Sequence, residues 1–377
     1  IVTLEKYMSF DFYFDNNNKT VSFIDQNLLI KAPDHILDYY FKEINEGNFR
    51  WSNLQRYYKN FDPRRYSKYQ LKTYNSFIRS REIQAFIKTC GFPYVPGSSI
   101  KGALAVQLLK KSWNKAKKNY CNEIDTKKNE LETKKSKPED KKRKLEDKDL
   151  RSLASRADEI TFGKPTQSPF KFLMLGDSNN ILYENMEVAE YKFLNICNNQ
   201  PRWIKFGRDR MNVDFINEAT CSYVEAVSPN TVISGSFKLD EKLNNKYLTE
   251  EGKIKFIEIF NNAAEGIRNV IREYIQTEID FYKNYGPKEL EEFYLRLLAK
   301  NNQLKPNEVI LQIGFGTGFK AKSVLPMMDK TYTMKLKDLG YRIKEPELYP
   351  KTRKIVFRNG KPFAPFGWVK MTLPIGE

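Results

Sequence analysis

The stretch Phe92–Leu104, FPYVPGSSIKGAL, constrains the fold of this chain more than any other part of it. An extended run ends at Pro96-Gly97, a turn signal, and Ile100, Leu104 and Leu108 then recur at four-residue spacing. A strand must therefore feed a helix through a tight turn, with Ser98 or Ser99 placed to cap it. The N-terminus of a helix carries unpaired N–H groups and a partial positive charge, which suit an anion. Lys101, in the first turn, opposes the helix dipole unless an anion sits beside it. Two readings follow: a phosphate-binding turn made of Gly97, Ser98, Ser99 and Lys101, or a capped core helix with a solvated lysine.

The 377 residues, 40% of them apolar with 26 Phe and 22 Tyr, are enough for a large core in two lobes or one elaborated domain. No apolar run approaches the roughly 20 residues that a membrane span requires. No secretory leader opens the sequence, and Ile1 in place of Met suggests that it begins inside a longer one. Cys90, Cys121, Cys197 and Cys221 form no CxxC pair, so neither a disulfide framework nor a zinc site is expected, and a reducing cytoplasm is the default. The formal charge of +17 points to a polyanionic partner. Lys110–Arg151 hold 16 basic and 9 acidic residues, a net of +7, which leaves +10 on the rest of the chain.

Residues 9–15 and 21–25 read as a hairpin around Asn16-Asn17-Asn18-Lys19, and residues 33–90 as mostly helical. Residues 114–149 are Lys/Glu-rich with few apolar positions, so they form a solvated helical projection or are disordered. Strands follow at 170–177, 187–195, 223–227 and 231–239, and the spacing predicts long helices over 254–283 and 288–299. Val309–Ile313 is a strand, and Ile355–Thr372 hold two more strand-like runs. The interleaving predicts an α+β chain, most economically a ferredoxin-like sheet with helices on one face.

Two further segments carry charge. The loop Gly314–Lys322, GFGTGFKAK, matches neither GxGxxG nor GxxxxGK[ST]. Its alternate glycines let backbone approach something closely, with Lys320 and Lys322 beside it: a sugar-phosphate chain, or simply a packed neighbour. Trp203–Ala219 interleaves Lys205, Arg208 and Arg210 with Trp203, Phe206 and Phe215, which suits single-stranded RNA or an exposed charged hairpin without a ligand. Catalytic chemistry is poorly supplied. His35 is the only histidine and reads as a surface or capping residue, which excludes Ser/His/Asp and Cys/His pairings without it. Asp11 and Asp15 flank the hairpin turn as edge charges, and nothing else suggests carboxylates paired on magnesium.

PYVPGSSIKGAL, MLGDS (174–178), TCSYVEAVSPNTVISGSF, GFGTGFKAKS, and YPKTRKI with PFAPFGWVKM occur in this order across residues 93–371. Together they resemble the RAMP superfamily of CRISPR RNA-binding proteins, and within it the subunit that caps the type III-A Csm effector complex at the guide RNA 3′ end. The resemblance implies a ferredoxin-like, RRM-like RAMP core with a thumb hairpin and helical insertions. It divides the chain into residues 1–113 (N-terminal core with a helical insertion), 114–157 (charged insertion), 158–249 (core strands, thumb near 203–222), 250–305 (helical lobe) and 306–377 (C-terminal core strands).

By the same resemblance the protein would be a non-catalytic RNA-binding subunit without cofactor or metal. Gly97, Ser98, Ser99 and Lys101 would hold guide phosphates, and Gly316, Gly318, Lys320 and Lys322 would bracket the same strand. Residues 203–218, with Lys205, Arg208 and Arg210, would wedge between guide and target bases, and Lys351 and Arg353 would add contacts. Guide RNA, target RNA, a backbone RAMP subunit, a small helical subunit and host nucleases are the implied partners, with no membrane. Two departures stand out: only Ile1-Val2-Thr3 would remain of the family's opening strand, and the charged insertion is long. A RAMP-type endoribonuclease acting on precursor guide RNA is the alternative, and a protein–protein adaptor is a third reading.

Overall fold

The computed structural model describes residues 2–75, 82–134, 147–166, 168–239, 249–250, 253–254, 259–260, 262–343 and 349–373. Its hub is the strand Met186–Cys197, whose sequence MEVAEYKFLNIC presents apolar side chains on both faces. Side chains alternate across a strand. Met186, Val188, Leu194 and Ile196 therefore face one side, and Ala189, Tyr191 and Phe193 the other. Twelve residues are enough to serve two half-sheets. The first half pairs antiparallel with Ser222–Val227 and, at its start, parallel with Ser67–Thr73. The second half pairs antiparallel with Gln200–Phe206 on one edge and Thr352–Arg358 on the other. The result is a mixed sheet in the order Val2–Met8, Glu82–Phe86, Ser222–Val227, Met186–Cys197, Ser67–Thr73, Thr20–Ile24, Phe12–Asp15.

Several sequence expectations are corrected here. Val2–Met8 is a full strand paired with Glu82–Phe86, so the opening strand extends well beyond Ile1-Val2-Thr3. Among the described residues, 33–90 are helical only at Asp34–Asn45 and Trp51–Tyr57, apart from a short 3-10 turn; Ser67–Thr73 and Glu82–Phe86 are strands. In SKYQLKT the signal was present, because Tyr69, Leu71 and Thr73 are buried while Lys68, Gln70 and Lys72 are exposed. Asp15 is a buried turn cap rather than an edge charge: it accepts from the Asn17 and Asn18 N–H groups and pairs with Arg64 at 2.9 Å. Asp11 lies outside the strand and accepts the Met8 N–H at 2.8 Å.

The charged insertion is a helical pair over its described residues, Trp113–Lys134 and Asp147–Phe162; residues 135–146 lie outside them. Its few apolar residues fall at helical spacing, and Trp113, Ala116, Tyr120, Ile124 and Leu131 are all buried with Leu153 and Ala157. Each such side chain contributes about 1.5–3 kcal/mol on burial when it is large. One narrow stripe thus replaces a broad core, and salt bridges tie its polar flank to helix Lys330–Leu339, where Asp125 meets Lys335 and Lys128 meets Asp338.

Helix Ala263–Tyr285 buries Ile267, Ile271, Ile275, Glu278, Ile279 and Tyr282 against the sheet, and Lys288–Asn302 packs beside it through Leu290, Tyr294 and Leu297. Phe256, read as part of the first of these helices, lies outside the described residues. The tail forms three strands rather than two: Thr352–Arg358, Lys361–Pro365 and Trp368–Thr372. Helices cover the Leu194/Ile196 face, and the opposite face carries Tyr191, Phe193, Phe315 and Phe366.

Candidate nucleic-acid interface

The turn at Pro96-Gly97 is stitched to the Asp-Ser motif at 177–178. Ser178 accepts the Val95 N–H on its Oγ, and the Val95 carbonyl accepts the Ser178 N–H, both at 2.9 Å. The Gly97 N–H donates to the Asp177 carboxylate at 2.9 Å, so a side chain from another strand caps the helix. Neither Ser98 nor Ser99 is the cap. The helix begins at Gly97, Pro96 occupies the cap position, and the Ser99 N–H donates to the Pro96 carbonyl at 3.0 Å. Gly97 itself is required by packing, since a Cβ there would stand 2.1 Å from the Leu175 carbonyl oxygen. Gly97 is therefore buried and its N–H is occupied, whereas Ser98 is exposed and Ser99 and Lys101 are half-buried. Burial lowers the pKa of the Lys101 amine.

The glycine-rich loop follows the strand Glu308–Gln312, and Gly314, Gly316 and Gly318 all have positive φ, near +80°. This left-handed region favours glycine. What the loop approaches at Gly316 is protein: a Cβ would lie 2.4 Å from the Phe366 ring. Lys320 turns inward and donates to Glu278 at 3.0 Å. Arg353 meets the same carboxylate with two nitrogens, at 2.7 and 2.9 Å, and lies over the Phe281 ring. Glu278 is fully buried; burial pushes its carboxyl up, but Arg353 and then Lys320 outweigh that and hold it below the usual carboxylate range. Lys320 and Arg353 thus spend their charge inside the fold. Lys322 remains exposed, with no carboxylate in salt-bridge range among the described residues.

The hairpin at 200–213 pairs Gln200–Phe206 with Arg210–Val213. Lys205, Arg208 and Arg210 are all exposed on it, as is Phe206 at 45%. Trp203 lies inward against Phe357 and anchors the hairpin base. Phe215 is exposed near its end. Lys351 is half-buried at the start of the tail strand, where its carbonyl accepts the Ile196 N–H at 3.2 Å. His35 is exposed on helix Asp34–Asn45, its ring 5.0 Å from Tyr58. Among the described residues no group of three or more His, Cys, Asp or Glu is arranged to hold a metal ion, and Cys90, Cys121, Cys197 and Cys221 form no disulfide.

One residue that the sequence reading missed joins these parts. Lys354 follows Arg353 and points to the opposite face of the strand. Its Nζ lies 3.7 Å from the Phe315 ring centroid, 5.4 Å from Phe193 and 5.6 Å from Tyr191. Burial, with a smaller contribution from Lys322, lowers its amine to about 8. The available signal was alternation: in TRKIVF, Arg353, Ile355 and Phe357 share one face, and Lys354 and Val356 the other. The structure therefore brings Phe206 of the hairpin and the glycine loop onto one aromatic face. The helix starting at Gly97 joins them from the side, where the Gln107 amide donates to the Ala321 carbonyl at 3.5 Å.

Residues 38–319 match the RAMP superfamily profile. The chain belongs to that superfamily. It is also 26% identical over 318 residues to the CRISPR system Cms protein Csm5 of Methanocaldococcus jannaschii, a match covering 78% of this chain and 66% of that protein, just under two thirds. Two solved structures share the fold. One is a chain of a cryo-EM Csm–crRNA–target RNA ternary complex of a type III-A CRISPR-Cas system, with TM-score 0.63, 19% identity, and 99% of this chain and 96% of that one covered. The other is the crystal structure of T. onnurineus Csm5, with TM-score 0.62, 17% identity and coverage of 98% and 96%. The fold class is accordingly α+β and RAMP-like, with the thumb hairpin and helical insertions expected from the sequence.

Proposed function

We propose that this chain is a non-catalytic RNA-binding subunit of a type III-A CRISPR interference complex. It caps the filament of backbone RAMP subunits next to the small helical subunit, binds the 3′ part of the guide RNA and the target RNA, and contributes to guide maturation and antiviral defence in the cytoplasm. The observation that carries this reading is the fit of 99% of the chain to a chain of a Csm–crRNA–target RNA complex. The Csm5 relative and the net charge of +17 support it.

In this reading Ser98, Ser99 and Lys101 approach guide phosphates at the helix start, Gly318 and Lys322 approach them from the glycine loop, and Lys351 contacts the backbone near the tail. Lys205, Arg208 and Arg210 place the thumb between guide and target. Gly97, Gly316, Lys320 and Arg353 act indirectly, by holding the two loops in place through Asp177, Phe366 and Glu278. The five segments drawn from the sequence remain our division of the chain, with the helical pair after residue 113 as an insertion. Host nucleases trimming the guide end belong to the same reading. No observation favours the endoribonuclease alternative.

The test is to purify the tagged protein from its native host and sequence the RNA that accompanies it. Guide RNAs sharing one repeat-derived 5′ end, recovered with other RAMP subunits, are expected. Recovery of the protein alone, or with unprocessed precursor and no partners, overturns the assignment.

A further inference from the structure

Lys354 is a half-buried cation with three aromatic rings around it and, among the described residues, no carboxylate in salt-bridge range. The charged group closest in effect is another cation, Lys322, which disfavours its protonation further. A lysine buried without an acid costs free energy in every protonated state. The folded chain tolerates this at Lys354, although it pairs both Lys320 and Arg353 with Glu278 on the other face of the same strand. Ring quadrupoles offset part of that cost. With Lys322 near enough to act on Lys354, the remainder is left for an anion.

The rings supply the second half of a nucleotide's needs. Phe193 contacts Phe206 edge to face at 5.2 Å, and Phe206 is 45% exposed beside the turn of the hairpin. Arg210 stands directly opposite Phe206 in the hairpin register and so shares its face. Phe315 is held by Tyr191 and Phe366, each ring 5.5 Å away, which fixes the glycine loop over the sheet. An apolar wall, an exposed ring edge and two cations therefore lie within one nucleotide's reach of each other.

We propose that Lys354 and Lys322, with Phe206, Phe193 and Phe315, form a subsite for one unpaired RNA nucleotide, its phosphate between the two lysines and its base on the Phe206–Phe193 edge. The inference rests on the RNA-binding reading and adds to it the site, the strand state and the residues. A base paired within a duplex presents its stacking faces to neighbouring bases, so the subsite selects single-stranded RNA.

The experiment uses the full-length protein and a fluorescein-labelled oligouridine, with affinity measured by anisotropy across a salt series. Variants are Lys354→Met, which keeps an aliphatic stem among the rings, Phe206→Leu, and a thumb-tip variant with Lys205, Arg208 and Arg210 all changed to Ala. Lys354→Met and Phe206→Leu should each weaken binding about tenfold, and self-complementary RNA should bind less tightly than the oligouridine. Lys354→Met alone of these two should lower the salt slope, by about one contact. If both bind as the parent does while the thumb-tip variant is weakened, the subsite is wrong and the RNA-binding reading survives. If the parent itself does not bind the oligouridine above background, both fall. A purely structural Lys354 would shift the melting temperature and leave affinity and salt slope unchanged, which also overturns the subsite.

Discussion

Arg353 and Lys354 are neighbours in sequence and opposites in circumstance. The strand points Arg353 at the helical layer, where a buried carboxylate receives it together with Lys320. It points Lys354 at the open layer, where rings surround it and, among the described residues, no acid lies in salt-bridge range. Both residue types look alike in a basic tail, yet one face of the sheet pairs its cations with a buried carboxylate, and the other leaves Lys354 among rings without one among the described residues. A basic composition therefore does not report where the usable charge lies, and the net +17 overstates it.

Removing the acid should have the largest effect. Glu278→Ala leaves Lys320 and Arg353 buried without a counter-charge, which should cost about 3–5 kcal/mol of stability, read from urea denaturation. A loss below one kcal/mol would mean that the helical face does not depend on its carboxylate. A smaller effect tests the helix cap. Asp177→Ala should cost about 1 kcal/mol because the Gly97 N–H loses its acceptor, whereas Ser99→Ala should be close to neutral. The reverse order would restore Ser99 as the cap.

The smallest effect concerns pH. Burial holds the amines of Lys354 and Lys110 at about 8 in the folded chain, with Lys322 and Lys320 respectively as secondary causes, while an unfolded lysine keeps its proton to about 10.4. From near pH 8 upward the unfolded state binds more protons, so stability rises with pH until tyrosine ionisation begins. Lys354→Met should reduce that rise, as measured by urea midpoints at neutral pH and at about pH 9.5. An equal rise in the parent and the variant would remove Lys354 from the account.

Much of the architecture was legible because it rests on local periodicity. The hairpin at residues 9–25, the two long helices and the central strand all follow from spacing of three to four or of two. The strands at Ser67–Thr73 and Glu82–Phe86 were missed because each period-two run is short and lies within a wider stretch, residues 33–90, rich in aromatic and basic residues. The helical pair after residue 113 was underrated because its buried stripe is a single residue wide. At the candidate site, the motifs and their order were readable, and so were the exposed thumb cations.

Motifs in a fixed order carried the family resemblance, and residue types at fixed local spacing carried the α+β class and the basic, aromatic segments. Their exposure, and which of them are paired inside the fold, follow from tertiary packing instead. Asp177 reaches Gly97 across eighty positions of chain, and Glu278 reaches Arg353 across seventy-five. Such pairings have no local signature, since a cation's partner is chosen by which elements pack together. Packing, not composition, separates Lys354 from Arg353.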